Sequence, residues 1–352
     1  MNWQFSTGYC QLGQKIPKNA LNLVTMPVSV LMINGMDHQA QMYRRLSEVG
    51  MNVNFSFLRG NAMQERSGRY DLSDVTEYVM SHEAHDAFSA ITKLWQEHYP
   101  SCSYENLNLS VRRRPNWLKR KAAMLSCTKS SKEQQFVTPL CSGNFWEEQS
   151  NTRVLRVLST EETSRLLKIA KDSGMGFSLY VLYKLHDAVV KLIGHKSDFQ
   201  VWSVPVSLHQ DFSRPRGNQS VFVNIPLENK TTPEKLVNFF NDIINRDLAW
   251  GVKDLIPHVV GVMQNASIGN VRKSVARRSV SGSLTNLGNW KLSEEGFEDD
   301  IWWFSSPVAS FNPINCGIIT VNGRMSLALN VLDELQLNNN QIDSIVDSIV
   351  ST

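Results

Sequence analysis

Segments whose apolar residues recur about every 3.6 positions alternate along this chain with short β-branched runs, and that interleaving admits little besides layered α/β architecture. Met42, Tyr43 and Leu46 share one helical face between Asp37 and Val49, and Val53–Leu58 follows as a strand. Val75–Met80 is a second apolar, β-branched run, after which Ala87, Phe88, Ile91, Leu94, Trp95 and His98 fall on one side of a helix. Later, a strand at Thr152–Leu158 runs into Ser159 and Glu162, whose spacing is that of a capping box, and the helix it starts reaches Asp172 and stops at Gly174 and Gly176. The next helix, Leu179–Ile193, places Leu179, Leu182, Tyr183, His186, Val189 and Val190 together and ends at Gly194. The remainder reads as strands Phe199–Val206 and Val221–Leu227, a helix Thr232–Ala249, strands Gly282–Leu287, Ile318–Val321 and Met325–Val331, and a closing helix Asn338–Ile349.

Periodicity fades between Ser101 and Asn151, where Arg112, Arg113, Arg114, Pro115, Lys119, Arg120 and Lys121 collect ahead of the polar stretch Ser126–Lys132. This reads as a crossover linker and divides the chain into an N-terminal lobe over 1–125, a linker over 126–150 and a C-terminal lobe over 151–352. With 42% hydrophobic and 20% charged residues in 352, the chain has enough apolar matter for such lobes and is not disordered. A formal net charge of +3 gives no global field for nucleic acid or an anionic membrane, so any basic function is local. The five cysteines are scattered without a C-x-x-C pair, which fits reduced thiols in the cytoplasm. The apolar stretch Leu21–Ile33 is interrupted by Asn22, Thr25, Pro27 and Ser29, so neither a secretory leader nor a transmembrane span is expected.

Chemistry concentrates in Tyr78–Ser89, where His82 and Asp86 stand four apart at the junction of a strand and a helix. Pairing fixes the backbone at a strand end while the turn leaves a ring facing a cleft, and histidine needs only a small environmental shift to act as a base near neutrality. A metal site is not expected, because His82 and His85 lie three apart where the zincin pattern needs four, and His85 reads as a surface neighbour of Asp86. No G-x-S-x-G elbow or Walker loop is present.

Strand, His82, Asp86, Ala87, Ser89 and the amphipathic helix after them resemble the HHxxxDG signature of condensation domains and of polyketide-associated and alcohol acyltransferases, members of the chloramphenicol acetyltransferase superfamily. The second histidine matches His82 and the aspartate Asp86; the first histidine is Ser81 here and the glycine is Ala87. The helix pair Ser159–Gly194 is similar to the one that opens the family's C-terminal half. Val204-Pro-Val-Ser-Leu208 with Gly217-Asn218 resembles its strand and Gly-Asn step, with His209 where the family often has an arginine that pairs with the motif aspartate. Ser281–Gly288 resembles the Ser-x-Asn-x-Gly strand of the alcohol and polyketide-associated enzymes. The likeness runs from about residue 35 onward.

The resemblance implies a two-lobed fold of mixed sheets covered by helices, with an active-site tunnel between lobes. It implies that His82 takes a proton from a hydroxyl or amine acceptor as that acceptor attacks an acyl thioester, while Asp86 orients the loop. Ser283, Thr285 and Asn286 are the expected oxyanion or substrate donors, or simply polar positions of an alternating strand. Ser81, Gly217 and Asn218 are expected to shape the tunnel. Arg277 and Arg278, together with Arg272 and Lys273, and the run Arg112–Lys121 are candidates for the phosphates of coenzyme A or an acidic acyl-carrier protein, with solvated surface as the alternative. Trp302-Trp303-Phe304 reads as core or tunnel wall. No bound cofactor is expected; coenzyme A or phosphopantetheine enters as a co-substrate thioester. Two alternatives stay open: a non-catalytic relative that binds a carrier protein in a biosynthetic assembly line, and a condensation-like enzyme joining two carrier-bound substrates.

Overall fold

The computed structural model describes residues 9–10, 38–62, 69–107, 112–128, 140–141, 150–193, 198–209, 218–276, 279–293 and 300–351. In chain order its elements are β1 (Tyr9–Cys10), α1 (His38–Glu48), β2 (Asn54–Asn61), β3 (Arg69–Tyr70), β4 (Thr76–Ser81), α2 (Ala87–His98), β5 (Tyr104–Asn106) and α3 (Trp117–Thr128). They continue with β6 (Asn151–Leu158), α4 (Thr160–Asp172), α5 (Phe177–Ile193), β7 (Phe199–Ser207), β8 (Ser220–Glu228), α6 (Pro233–Asn245), α7 (Leu248–Asn265) and α8 (Ile268–Ala276). The last are β9 (Gly282–Leu292), β10 (Asp300–Ser305), β11 (Ile314–Val321), β12 (Arg324–Leu332) and α9 (Asn339–Val350).

Local chemistry sets several of these boundaries. Asp86, Ser159, Thr232 and Asn338 each accept from the backbone N–H three residues on, which satisfies one of the donors a helix start leaves unpaired. At Ser159 and Asn338 the box is completed by Glu162 and Gln341.

The strands form two sheets. The larger, nine-stranded, runs β1-β8-β7-β9-β11-β12-β6-β3 with β5 added on β9, and it is mixed: β9 is parallel to both β7 and β11, while β11, β12 and β6 are antiparallel neighbours. The smaller has the order β10-β2-β4. Its two earlier strands are closed by a much later one, with Asn61 facing Asp300 and Ser56 facing Ser305. Arg59 on β2 bonds Asp300 at 2.8 Å, and Tyr99 donates to the same carboxylate.

Three buried clusters meet around these sheets. The largest lies between the nine-stranded sheet and helices α1, α5, α7 and α9. The second joins the two sheets through Phe55, Phe57, Trp95, Trp290, Trp302 and Phe304. Alternation along β10 turns Trp302 and Phe304 into that cluster and Trp303 to the other face, against Tyr70. β11 is buried at every position, and at Gly317 a Cβ would lie 2.0 Å from the Phe304 carbonyl oxygen, so the two sheets touch there backbone to backbone.

The structure corrects three expectations. Residues 101–151 are not a featureless linker: β5 extends the main sheet, and α3 runs through the expected boundary at 125, packed on α7 with Arg120 bonding Asp254. The helix expected over Thr232–Ala249 is two helices, broken where Asp247 takes a left-handed φ of 52°. The stretch between Trp250 and Ser281, left without elements by the sequence, holds most of α7 and all of α8. Most of the 126–150 segment lies outside the described residues.

Candidate active site

His82 follows the last residue of β4, and its backbone is held on both sides. Its N–H donates to the Val53 carbonyl at 3.2 Å, and its own carbonyl accepts from Asn218 Nδ2 at 3.0 Å. The ring stacks on Tyr43, centroids 4.9 Å apart and 16° from parallel, and leans on Phe55 at 4.4 Å. Among the described residues, Nδ1 is buried without a hydrogen-bond partner. This burial among aromatic rings pushes the imidazole down to about 4, while the Asp86 carboxylate and the His85 backbone pull weakly the other way. His82 is therefore neutral at physiological pH.

Asp86, four residues on, is fully buried and turns its carboxylate into the protein. Oδ1 accepts from Ser89 N at 3.0 Å, and Oδ2 accepts from His209 Nε2 at 2.8 Å, Gln219 N at 3.0 Å and Ser220 Oγ at 2.9 Å. Burial alone pushes such a carboxyl up; the His209 bond and charge and the two backbone donors outweigh it and hold Asp86 below the ordinary carboxylate range. An ionised carboxylate only accepts, so Nε2 of His209 carries the proton. His209 thus occupies the role that the resemblance gives to an arginine, and it ties the His82 loop to the end of β7 and the start of β8.

Asn218 is a second tie. Beside its bond to the His82 carbonyl, its Oδ1 accepts from Gln39 Nε2 at 2.7 Å, and its carbonyl accepts from Lys253 Nζ at 3.1 Å. Lys253 also donates to Gln39 Oε1, so α1, α7 and the β8 start converge behind the histidine.

A cavity of about 240 Å³ opens in front of His82. Tyr43, Phe88, Leu179, Leu182 and Phe304 give it apolar walls; Asp86, Asn218, Arg112, Ser178, Thr285 and Asn286 supply its main polar groups. Asn286 is already engaged, its Nδ2 donating to Ser178 Oγ at 3.0 Å and its Oδ1 accepting from Gly288 N at 2.9 Å. Ser178 Oγ receives that bond, which leaves its own O–H to turn elsewhere.

Not every expected residue is here. Ser283 is buried and does not border the cavity; it donates to Asn315, its partner across the β9–β11 ladder. Ser81 does not border the cavity either; its Oγ caps the turn by accepting from Glu83 N at 3.2 Å. Gly217, Arg277 and Arg278 lie outside the described residues. Conversely, Arg112 borders the cavity, while Arg113 and Arg114 beside it are exposed. Nothing in a run of three arginines separates the first from its neighbours, and Gln39, Lys253 and Ser178 carry no local signal at all. His82, Glu83, His85 and Asp86 do not converge on a point: among the described residues no group of three or more histidine, cysteine or acidic side chains is placed to hold a metal. Among the same residues no helix is long and apolar enough to cross a membrane.

No protein-family model matches the sequence, and no curated protein matches it. Among solved structures the chain is similar to the nonribosomal peptide synthetase FmoA3, with a TM-score of 0.50 and 11% identity over 78% of this chain and 30% of that one. It is also similar to the epimerization domain from the third module of tyrocidine synthetase B (TM-score 0.48, 12% identity, 78% of this chain and 67% of that one). The X-domain from teicoplanin biosynthesis matches at a TM-score of 0.46 and 9% identity over 89% of this chain and 92% of that one. The chain has a mixed α/β fold of two sheets covered by helices, shared with part of the synthetase FmoA3. At these identities the likeness is one of fold.

Proposed function

We propose that the chain is a condensation-like acyltransferase, moving an acyl group from a coenzyme A or carrier-bound phosphopantetheine thioester to a hydroxyl or amine acceptor, with His82 as general base. The observation that carries this reading is a neutral imidazole, fixed through both its backbone N–H and its carbonyl, at the wall of a largely apolar cavity.

The acceptor's O–H or N–H gives its proton to His82 as the oxygen or nitrogen bonds to the thioester carbon, and the carbonyl electrons move onto oxygen. Collapse of that tetrahedral adduct breaks the C–S bond, and the thiolate leaves with the proton from the imidazolium. Burial weakens His82 as a resting base but also amplifies its attraction to the oxyanion that develops beside it, so its basicity rises along the reaction. The hydroxyls of Ser178 and Thr285 and the second N–H of the Asn286 amide, whose first orients Ser178, are donors for that oxyanion. Asp86 acts from behind, holding the loop through His209 and β8.

The test is thiol release from short to long acyl-CoAs and acyl-carrier proteins with mixed alcohol and amine acceptors. Acceptor-dependent release that falls about 10²- to 10⁴-fold in His82→Ala is expected. Acceptor-dependent release that is unchanged in a folded His82→Ala protein overturns the mechanism. Tight binding of a carrier protein with no release from any donor favours the non-catalytic alternative, for which the replaced motif positions Ser81 and Ala87 speak.

A further inference from the structure

The helix α3 is apolar on two opposite faces, and only one of them is covered. Ala123, Met124 and Cys127 share the inner face and are buried, with Arg120 beside them bonding Asp254 of α7 at 2.9 Å. On the far side Leu118, Ala122 and Leu125 follow one another at the i, i+4, i+7 spacing, and all three are exposed. Trp117 opens the same helix at 66% exposure and Leu118 follows at 62%, so a bulky apolar pair stands in water at its first turn. Apolar side chains that are exposed contiguously mark a contact surface, as scattered ones do not.

The charge around this strip is of one sign. Lys121 borders it on one side and Lys119 on the other, while Arg113 and Arg114 lie just ahead of the helix, all four exposed. None of the four makes an ion pair among the described residues. The carboxylates of neighbouring elements are directed elsewhere: Asp254 is bound by Arg120, and Asp247 acts on Arg112. In the sequence no acidic residue stands between Glu105 and Glu133. An apolar strip edged by lysines suits the boundary of a bilayer, where leucines enter the acyl region, an indole sits at headgroup depth, and lysine stems run beside them to the phosphates. The cores of protein–protein contacts are instead depleted in lysine.

We infer that the outer face of α3 is a peripheral membrane-docking surface, which seats the protein on a bilayer containing anionic phospholipid through Trp117, Leu118 and Leu125, with Lys119 and Lys121 at the headgroups. The inference is independent of the chemistry in the cavity.

Sedimentation with vesicles of phosphatidylcholine, alone or mixed with phosphatidylserine, measures how the full chain partitions. Wild type is compared with Trp117→Ser/Leu118→Ser and with Lys119→Glu/Lys121→Glu, after thermal unfolding shows each variant folded. Wild type is expected to favour the anionic vesicles by about 10-fold or more, and each double variant to bind them about 10- to 100-fold more weakly. Brominated acyl chains in the same vesicles are expected to quench wild-type tryptophan emission, and that quenching to disappear in Trp117→Phe. Equal partitioning onto both kinds of vesicle, or quenching that persists in Trp117→Phe, overturns the inference. So does binding that only the lysine variant weakens, which is adsorption of charge without insertion. Absence of binding to any vesicle overturns it too, and capture of an acidic carrier protein that both double variants lose then makes this face a protein interface instead.

Discussion

Removing the imidazole of His209 tests the tie between Asp86 and the rest of the site. Asp86 and His209 are both buried, and the bond between them, 2.8 Å long, is one of four that the carboxylate receives. In His209→Ala the other three donors remain, but a buried anion loses its charge-assisted partner, a contribution of about 1.5–3 kcal/mol, and the ring leaves a void beside Phe88. Together these place the loss of stability at about 3–5 kcal/mol, the range for breaking a buried pair from one side. His209→Gln, which keeps an N–H donor for the carboxylate, is expected to lose about half as much. Urea unfolding of wild type, His209→Ala, Asp86→Asn and the double variant isolates the coupling, expected at about 1.5 kcal/mol or more. The pH dependence follows from the depressed Asp86: its contribution is fully present above about pH 4, the ordinary carboxylate value, and is lost as pH falls through the lower folded value. The part of the gap between wild type and His209→Ala that comes from Asp86 therefore shrinks on acidification below about pH 4. Additivity of the two substitutions within about 0.5 kcal/mol, or a gap that does not change down to pH 3, refutes the bond between His209 and an ionised Asp86.

The pH–rate profile of acyl transfer reads His82 directly: the base must be deprotonated, so kcat/KM is expected to rise with pH through about 4 and stay level from 6 to 8, whereas a limb near 6.5 contradicts the burial described here. Asn218→Ala frees the His82 carbonyl and the Gln39 amide, so kcat is expected to fall about 10- to 100-fold with KM little changed; a change in KM alone makes Asn218 a binding residue instead of a positioning one. Gly317→Ala drives a Cβ into the Phe304 carbonyl and is expected to lose several kcal/mol in urea unfolding, while wild-type stability shows that the two sheets part without cost.

The sequence exposes what is local and hides what is assembled at long range. The cap at Ser159 and the strand-to-helix junction at His82 are written in a few adjacent residues, and each lies where the pattern puts it. The helix α7 has the apolar spacing of a buried helix, yet Gly251, Pro257 and Gly261 read as breakers and disguise it. At Gly251 the disguise has a structural reason: a Cβ there would come within 2.6 Å of the α3 backbone at Ala123, so the close packing of the two helices needs a residue that weakens the helical pattern. In the active site, His82 and Asp86 are legible because the turn that joins them is short. Gln39, Ser178 and Lys253 come from three separate helices and Arg112 from the stretch before α3, and only the tertiary fold gives them a common neighbourhood. Ser283 shows the opposite failure: its motif is readable, but its hydroxyl is taken by Asn315 on the neighbouring strand, a pairing that only the sheet register sets.

The late arrival of β10 bears on how this chain is made. Phe304 and Trp302 pack on Phe55 and Tyr78, so the wall around the histidine is unfinished until Ser305 has been synthesised. During translation β2 stands with one hydrogen-bonding edge open and its aromatic side chains in water, a state that favours wrong pairing and calls on chaperones. Cutting the polypeptide before β10 would give an amino-terminal fragment that contains His82 and yet has no means of building the wall around it.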